Sequence, residues 1–170
     1  MPFLALLLIA VSVAVDQVFK MLAVNQLKPV GQIEIISGFL NFTYVENKGA
    51  AFGMLENQRW FFIAATAVVS VILLIVIFVY KHHTWLSYTA SILIVGGGIG
   101  NLIDRVLYGY VVDYIHFSFF PPVFNFADCC VTVGTVMLIV YILFFAEHTK
   151  QVTGKHYHRK NKKEDLSENE

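Results

Sequence analysis

Long apolar runs alternate with short polar breaks along the chain, and the runs set the architecture. The clearest, Trp60 to Tyr80, reads WFFIAATAVVSVILLIVIFVY, with no charged residue and an aromatic side chain at each end. A bilayer core about 30 Å thick needs roughly 20 mostly apolar residues per helical crossing, and aromatic ends suit the two interfaces. This run is therefore predicted to be a spanning helix. Three further windows have the same length: Phe3 to about Leu22, apolar up to Asp16; Trp85 to Leu107, apolar up to Asp104; and Val123 to Ala146, interrupted by Asn125 and Asp128. The pattern predicts four crossings.

Between the first two windows lies the one sizeable polar region, Ala23 to Arg59. Its stretch GFLNFTYVEN sets Leu40, Phe42 and Tyr44 against Asn41, Thr43 and Val45, the period of a half-buried strand, so a small sheet or hairpin is expected there. The following AAFGMLENQRW, Ala50 to Trp60, has apolar residues at helical spacing and reads as a short helix lying in the interface, against the alternative of an ordinary loop. Within the third window, GGGIGNLIDR puts Gly96 and Gly100 four apart, a spacing that lets helix backbones approach closely. A phosphate-cradling loop is the competing reading, but no strand precedes the glycines and no GK[ST] ends them, which favours packing.

Composition supports lipid as the solvent. The chain has 170 residues, 57% hydrophobic and 14% charged, and its mean hydropathy of +0.65 does not fit a water-soluble globule. Net charge is zero, but half of the 12 Lys and Arg residues follow Ala146, and Lys81 sits in the short link between the second and third windows. By the positive-inside rule, link and tail are cytoplasmic, so both termini lie inside and the first and third windows exit outward. The first window has no basic residue ahead of it and no convincing cleavage site, and is read as retained. The tail, 150–170, carries both signs of charge and is expected to be disordered. Cys129 and Cys130 are neighbours on a predicted helix and offer neither a disulfide framework nor a zinc spacing.

This topology bears on two acids that sit beside apolar stretches in VVDYIHFSFFPPVFNFADCC. The third helix exits near Leu107 and the fourth enters near Val123, so Asp113 and Asp128 fall at one surface, with Pro121 and Pro122 turning the chain back. Two carboxylates close together at the edge of hydrocarbon cannot both ionise cheaply and would share a proton. Such a pair takes a proton from water and gives one to a carbonyl, which is sufficient for peptide-bond hydrolysis. The plainer reading is that each Asp caps a helix or pairs with Arg105 or Lys48. Neither HExxH nor GxSG is present, and His116, read as a surface histidine one turn from Asp113, makes a thin metal set with two Asp. Asp16 and Lys20, four apart, read as an ion pair or as a substrate contact. A different class remains open: a small proton or ion transporter using Asp16, Asp104, Asp113 and Asp128 as a relay, which needs acids spread through the membrane depth. A non-enzymatic assembly subunit, resting on its packing glycines, is a third.

Five motifs carry a resemblance: DQVFK at Asp16 to Lys20, NKGAAFG at Asn47 to Gly53, GGGIGNLIDR at Gly96 to Arg105, VVDYIHF at Val111 to Phe117 and FNFAD at Phe124 to Asp128. In this order they resemble the bacterial lipoprotein signal peptidases, signal peptidase II, from Phe3 to about Ala146. The resemblance implies an aspartic endopeptidase that removes signal peptides from prolipoproteins, cutting before a diacylglyceryl-modified cysteine. It implies Asp113 and Asp128 as catalytic residues and Asp16, Asn47, Gly49, Asn101, Arg105 and Asn125 as supporting or substrate-binding ones, with no metal and no cofactor. Asp104 also matches, and is assigned to structure. The expected fold is an all-α membrane protein: four transmembrane helices, a small extracytoplasmic β-sheet forming a cradle and a short interfacial helix that resembles a mobile lid. Residues 1–149 would form the peptidase domain, with its outer region at about 25–59. Expected partners are diacylglyceryl-modified prolipoproteins and membrane lipids, without nucleic acid, and a monomer is expected to suffice. The expected location is the bacterial cytoplasmic (inner) membrane, with the active site near its outer face. Cys129 after the second aspartate, the short link between the acids and the basic tail depart from the family pattern.

Overall fold

A computed structural model describes residues 2–49, 58–80 and 83–145. Helix α1 (Pro2–Leu22) runs on through a π-helical turn (Ala23–Leu27) into strands β1 (Gln32–Ile36) and β2 (Leu40–Asn47); α2 (Arg59–Val79) and α3 (Trp85–Leu107) follow, then β3 (Val111–Phe117), β4 (Val123–Phe124) and α4 (Phe126–Phe144). All four α-helices are long and apolar enough to cross a membrane, as the runs predicted.

The helices divide labour by composition. α3 has 56% of its spanning window buried, against 11% for the all-apolar α2. Small residues account for this central position. A Cβ at Gly96 would lie 2.9 Å from Ser12 Cβ of α1, and one at Gly100 would lie 2.6 Å from Asp16 Oδ2. On another side of α3, Gly97 backs onto the Ala127 carbonyl of α4, and a Cβ there would lie 2.9 Å from Val131 Cγ2. Gly96 and Gly100 thus admit α1, while Gly97, which the four-residue spacing does not mark, admits α4. Thr84 and Ser87 start α3 with a reciprocal capping box, satisfying backbone N–H groups that have no helical partner. Val68, Ile72, Ile75 and Val79 of α2 remain exposed, a lipid-facing surface rather than a packing defect.

The antiparallel sheet has the order β1-β2-β3-β4. The alternation expected from Leu40 holds as far as Phe42, after which a register shift before Val45 interrupts it. Two strands arise from the segment after α3 that the pattern leaves as a link. β3 lacks alternation because both its faces are covered: Val112 and Tyr114 pack on Ala23 and Leu27, and Asp113 turns toward the start of α4. The fourth crossing begins at Phe126 rather than Val123, since Val123 and Phe124 first pair with His116 and Ile115. His116 is likewise not one helical turn from Asp113. On a strand the two point to opposite faces, and His116 is half-buried with its Nδ1 enclosed and unpartnered among the described residues. The expected interfacial helix, Ala50 to Trp60, lies largely outside the described residues, as does the tail, 150–170; Arg59 and Trp60 open α2.

Candidate active site

Polar residues gather where α1 and α3 end, α4 begins and the sheet sits above them. Asp16, Lys20, Asn101, Asp104, Asp113 and Asn125 are all buried there. An ion or amide in such a place costs several kcal/mol unless partnered, and each finds partners.

Asn125 joins the two candidate acids. As N-cap of α4 its Oδ1 accepts the Asp128 N–H at 2.9 Å, while Asp128 Oδ2 accepts the Asn125 N–H at 3.1 Å. The remaining end of the amide, Nδ2, donates to Asp113 Oδ1 at 2.6 Å and to Asn101 Oδ1 at 3.1 Å. Asn101 in turn donates from Nδ2 to Asp128 Oδ1 at 2.7 Å. Asp113 receives its other donor from the sheet, Asn47 Nδ2 to Oδ2 at 2.8 Å. Each carboxylate is therefore held by two donors, and the two are bridged by shared amides. The capping alternative for Asp128 is present geometrically, yet it occupies only one of its oxygens. Among the described residues neither acid is ion-paired with Arg105 or Lys48.

Burial, with the Asp128 charge second, pushes the Asp113 carboxyl up to about 7, against the donors Asn47 and Asn125. Near neutrality this carboxyl holds a proton for a substantial part of the time.

A second tier lies behind. Lys20 Nζ contacts Asp16 Oδ2 at 2.9 Å and Asp104 Oδ2 at 3.1 Å, and donates to Asn101 Oδ1 at 2.8 Å. With Lys20 and Asn125 both donating to its oxygen, the Asn101 amide has one orientation available, with Nδ2 toward Asp128. Asp16 Oδ1 accepts the Ala127 N–H at 3.0 Å, fastening α4 to α1. Asp104 Oδ2 accepts the Val112 N–H at 3.1 Å, fastening β3 to α3. Asp16 thus faces the bundle interior.

In front lies a cleft of about 360 Å³ between α2, α3 and α4, reached by Asp128, Asn101, Arg105, Asn47 and Gly49. Arg105 stands over the Phe62 ring at 4.9 Å, and its hydrogen bonds among the described residues are long, 3.4 Å each, to the carbonyls of Asn101 and Gly49. Asn47 Oδ1 takes the Gly49 N–H at 2.9 Å and fixes this rim.

The family model described as Signal peptidase (SPase) II matches residues 8–144. The chain belongs to the signal peptidase II family. It is 46% identical over 141 residues to the lipoprotein signal peptidase of Caldanaerobacter subterraneus subsp. tengcongensis, covering 83% of this chain and 97% of the relative. With that of Clostridioides difficile it shares 43% over 148 residues, covering 86% and 99%. A bacterial membrane enzyme structure solved by the in meso method at 2.3 Å superposes with a TM-score of 0.75 at 34% identity, covering 82% of this chain and 87% of that one. A second, at 1.9 Å, gives 0.74 at 33% identity, covering 84% and 94%. The four-helix fold with its small sheet is that of a membrane protease family, and the chain is a multi-pass membrane protein.

Three members of the site escape a local reading of this signal peptidase II sequence. Lys20 shows only its neighbour Asp16, not its contacts on α3. Gln17 gives no local signal, yet it donates to Asp104 Oδ1 at 3.0 Å and the Gly100 carbonyl at 3.2 Å. Tyr114, whose hydroxyl accepts the Phe126 N–H at 3.2 Å, lies in a strand that the pattern leaves out.

Proposed function

We propose that this signal peptidase II hydrolyses its substrate as an aspartic endopeptidase, with Asp113 and Asp128 as one proton-sharing unit. The chain removes signal peptides from prolipoproteins. The observation that carries the aspartic reading is the bridging of both carboxylates by Asn125 and Asn101, with no His, Ser or Cys bonded to either acid's side chain among the described residues. The ionised carboxylate accepts a proton from water as the water oxygen attacks the scissile carbonyl carbon; the protonated one donates to the carbonyl oxygen. Collapse of the tetrahedral intermediate breaks the C–N bond, and a carboxyl proton passes to the leaving amine. No acyl-enzyme forms.

Arg105 and the Gly49 rim are suited to holding the substrate backbone along the cleft, while Asp16 acts by fixing α4. We take the cut to fall before a diacylglyceryl-modified cysteine, whose chains stay in lipid while the signal helix lies against α2, α3 and α4. The basic link and tail favour both termini on the cytoplasmic side of the cytoplasmic membrane, with the site near its outer face and one chain sufficient. Residues 1–149 form the working domain in this reading. A transport relay has no support, because Asp16, Asp104 and Asp128 gather at the sheet end of their helices and α2 has no acid.

The test is digestion of one synthetic diacylated precursor by the purified protein in vesicles, with hydroxylamine present. Cleavage before the lipidated cysteine and a product free of hydroxamate are expected. A hydroxamate product would reveal an acyl-enzyme and contradict the aspartic reading.

A further inference from the structure

The sheet has two unlike ends. At one, Lys28 pairs with Glu46 at 2.9 Å and the Tyr44 hydroxyl donates to the same carboxylate at 3.0 Å. At the other, the turns of the two hairpins meet through the Ser118 N–H, which donates to the Phe39 carbonyl at 3.0 Å. That end is phenylalanine. Phe39, Phe117 and Phe119 have ring centroids 5.6–5.7 Å apart in each pairing, and Phe120 stacks on Phe124 at 5.7 Å. Phe119 is 70% exposed, Phe39 46% and Phe120 38%. Turns exposed to water are ordinarily built of Gly, Asn, Asp and Ser, whereas no Asp, Glu, Lys or Arg occurs from Phe117 to Ala127.

Cross-strand register extends the asymmetry. Ile33, Phe42, Ile115 and Phe124 lie in one row, and Leu40 pairs with Phe117 on the same face, the face that carries Asp113. The other face carries Glu34, Asn41 and His116 in a row at this end, and farther along β3 Val112 and Tyr114, which pack on Ala23 and Leu27. The apolar face is continuous with lipid through the chain itself: the phenylalanine turn leads through β4 directly into α4, a spanning helix. Four residues of strand put Phe117 roughly 13 Å from Asp113, away from the reacting centre.

We propose that this phenylalanine end, Phe39 with Phe119 and Phe120, rests in the interfacial layer of the lipid leaflet that α4 enters, and so holds the sheet at a fixed height. The partner is the lipid surface itself, met by exposed rings of which Phe119 and Phe120 sit on an uncharged link, while Glu34 at the Gly38 turn marks the opposite face. The anchor sets the level of β3, and hence of Asp113, from its far end, while Asp104 holds it from the bundle side.

A single-tryptophan reporter tests it. Phe119→Trp, in a protein with Trp60→Phe and Trp85→Phe, is reconstituted in phosphatidylcholine vesicles brominated at shallow or deep acyl positions, with iodide on both sides. The expected result is blue-shifted emission, strong loss with shallow bromine, weaker loss with deep bromine and protection from iodide. Gln32→Trp in the same background should show the reverse, open to iodide and untouched by bromine. The proposal is overturned if the Phe119→Trp reporter is quenched by iodide as strongly as the Gln32→Trp one. It is equally overturned if shielding appears only after a lipidated precursor is added, which would assign the turn to substrate.

Discussion

Asn125 Nδ2 lies 2.6 Å from Asp113 Oδ1, and the same side chain caps α4 from three residues before Asp128. One residue therefore ends the turn, starts α4 and couples the two acids. These roles can be separated. Asn125→Ser keeps an oxygen for the cap but is too short to reach Asp113. Its melting temperature should stay near that of the parent, while kcat for a diacylated precursor falls on the order of 10²-fold. Asn125→Ala should lose the cap as well, at about 1 kcal/mol. Equal activity in the two parents, native and Asn125→Ser, would remove Asn125 from the coupling.

Lys20 neutralises Asp16 and Asp104 together at a position 3% exposed. Lys20→Met leaves two buried carboxylates facing each other across α1 and α3, and should cost about 3–5 kcal/mol. Adding Asp16→Asn removes one of those charges and should restore part of the loss, as thermal unfolding in detergent would measure.

At Gly97, α3 lies against the backbone of α4. Gly97→Ala drives a methyl group into the Ala127 carbonyl and the Val131 side chain, so α4 must shift outward. About 1–3 kcal/mol of stability should be lost, and cleavage should fall further than stability alone explains, because Asp128 moves with the helix. Unfolding and rate measurements on the same preparation separate the two effects.

The pH dependence follows from Asp113, held up to about 7 by burial and by Asp128. In the proposed mechanism hydrolysis needs one proton on the pair, so kcat/KM should fall above about pH 7, close to tenfold per unit. For stability the folded carboxyl binds its proton more tightly than the unfolded one, whose value is near 3.9. Stability therefore declines as pH rises from about 4 to about 7 and then levels. Asp113→Asn removes that decline, and should gain about 2–3 kcal/mol over the parent between pH 5 and pH 8. Melting curves at the two values check it.

Much of this was legible in sequence because lipid is a demanding solvent. A crossing has to satisfy every backbone group internally and present apolar side chains, so α1 to α4 appear as long runs. The asparagine cap was missed, because the apolar run begins at Val123 and places Asn125 inside the fourth window, whereas α4 begins at Phe126 with Asn125 as its N-cap. β3 was missed too, because a strand covered on both faces by Ala23, Leu27 and the α4 start has no alternation to betray it. Lys20 and Gln17 hid for a different reason: their decisive partners, Asp104 and Asn101, lie on another helix. Gly97 escaped because the four-residue rule marks the face toward α1 alone.

The most direct test of the account compares Asp113→Asn, Asp128→Asn and the double variant in cleavage of one diacylated precursor, with folding checked by thermal unfolding. Each single variant should lose about 10²–10⁴-fold in kcat, and the double variant should be no worse than the poorer single, as expected of groups acting as a unit. Full activity in either single variant, or a double loss equal to the product of the two, would contradict a shared proton between these aspartates.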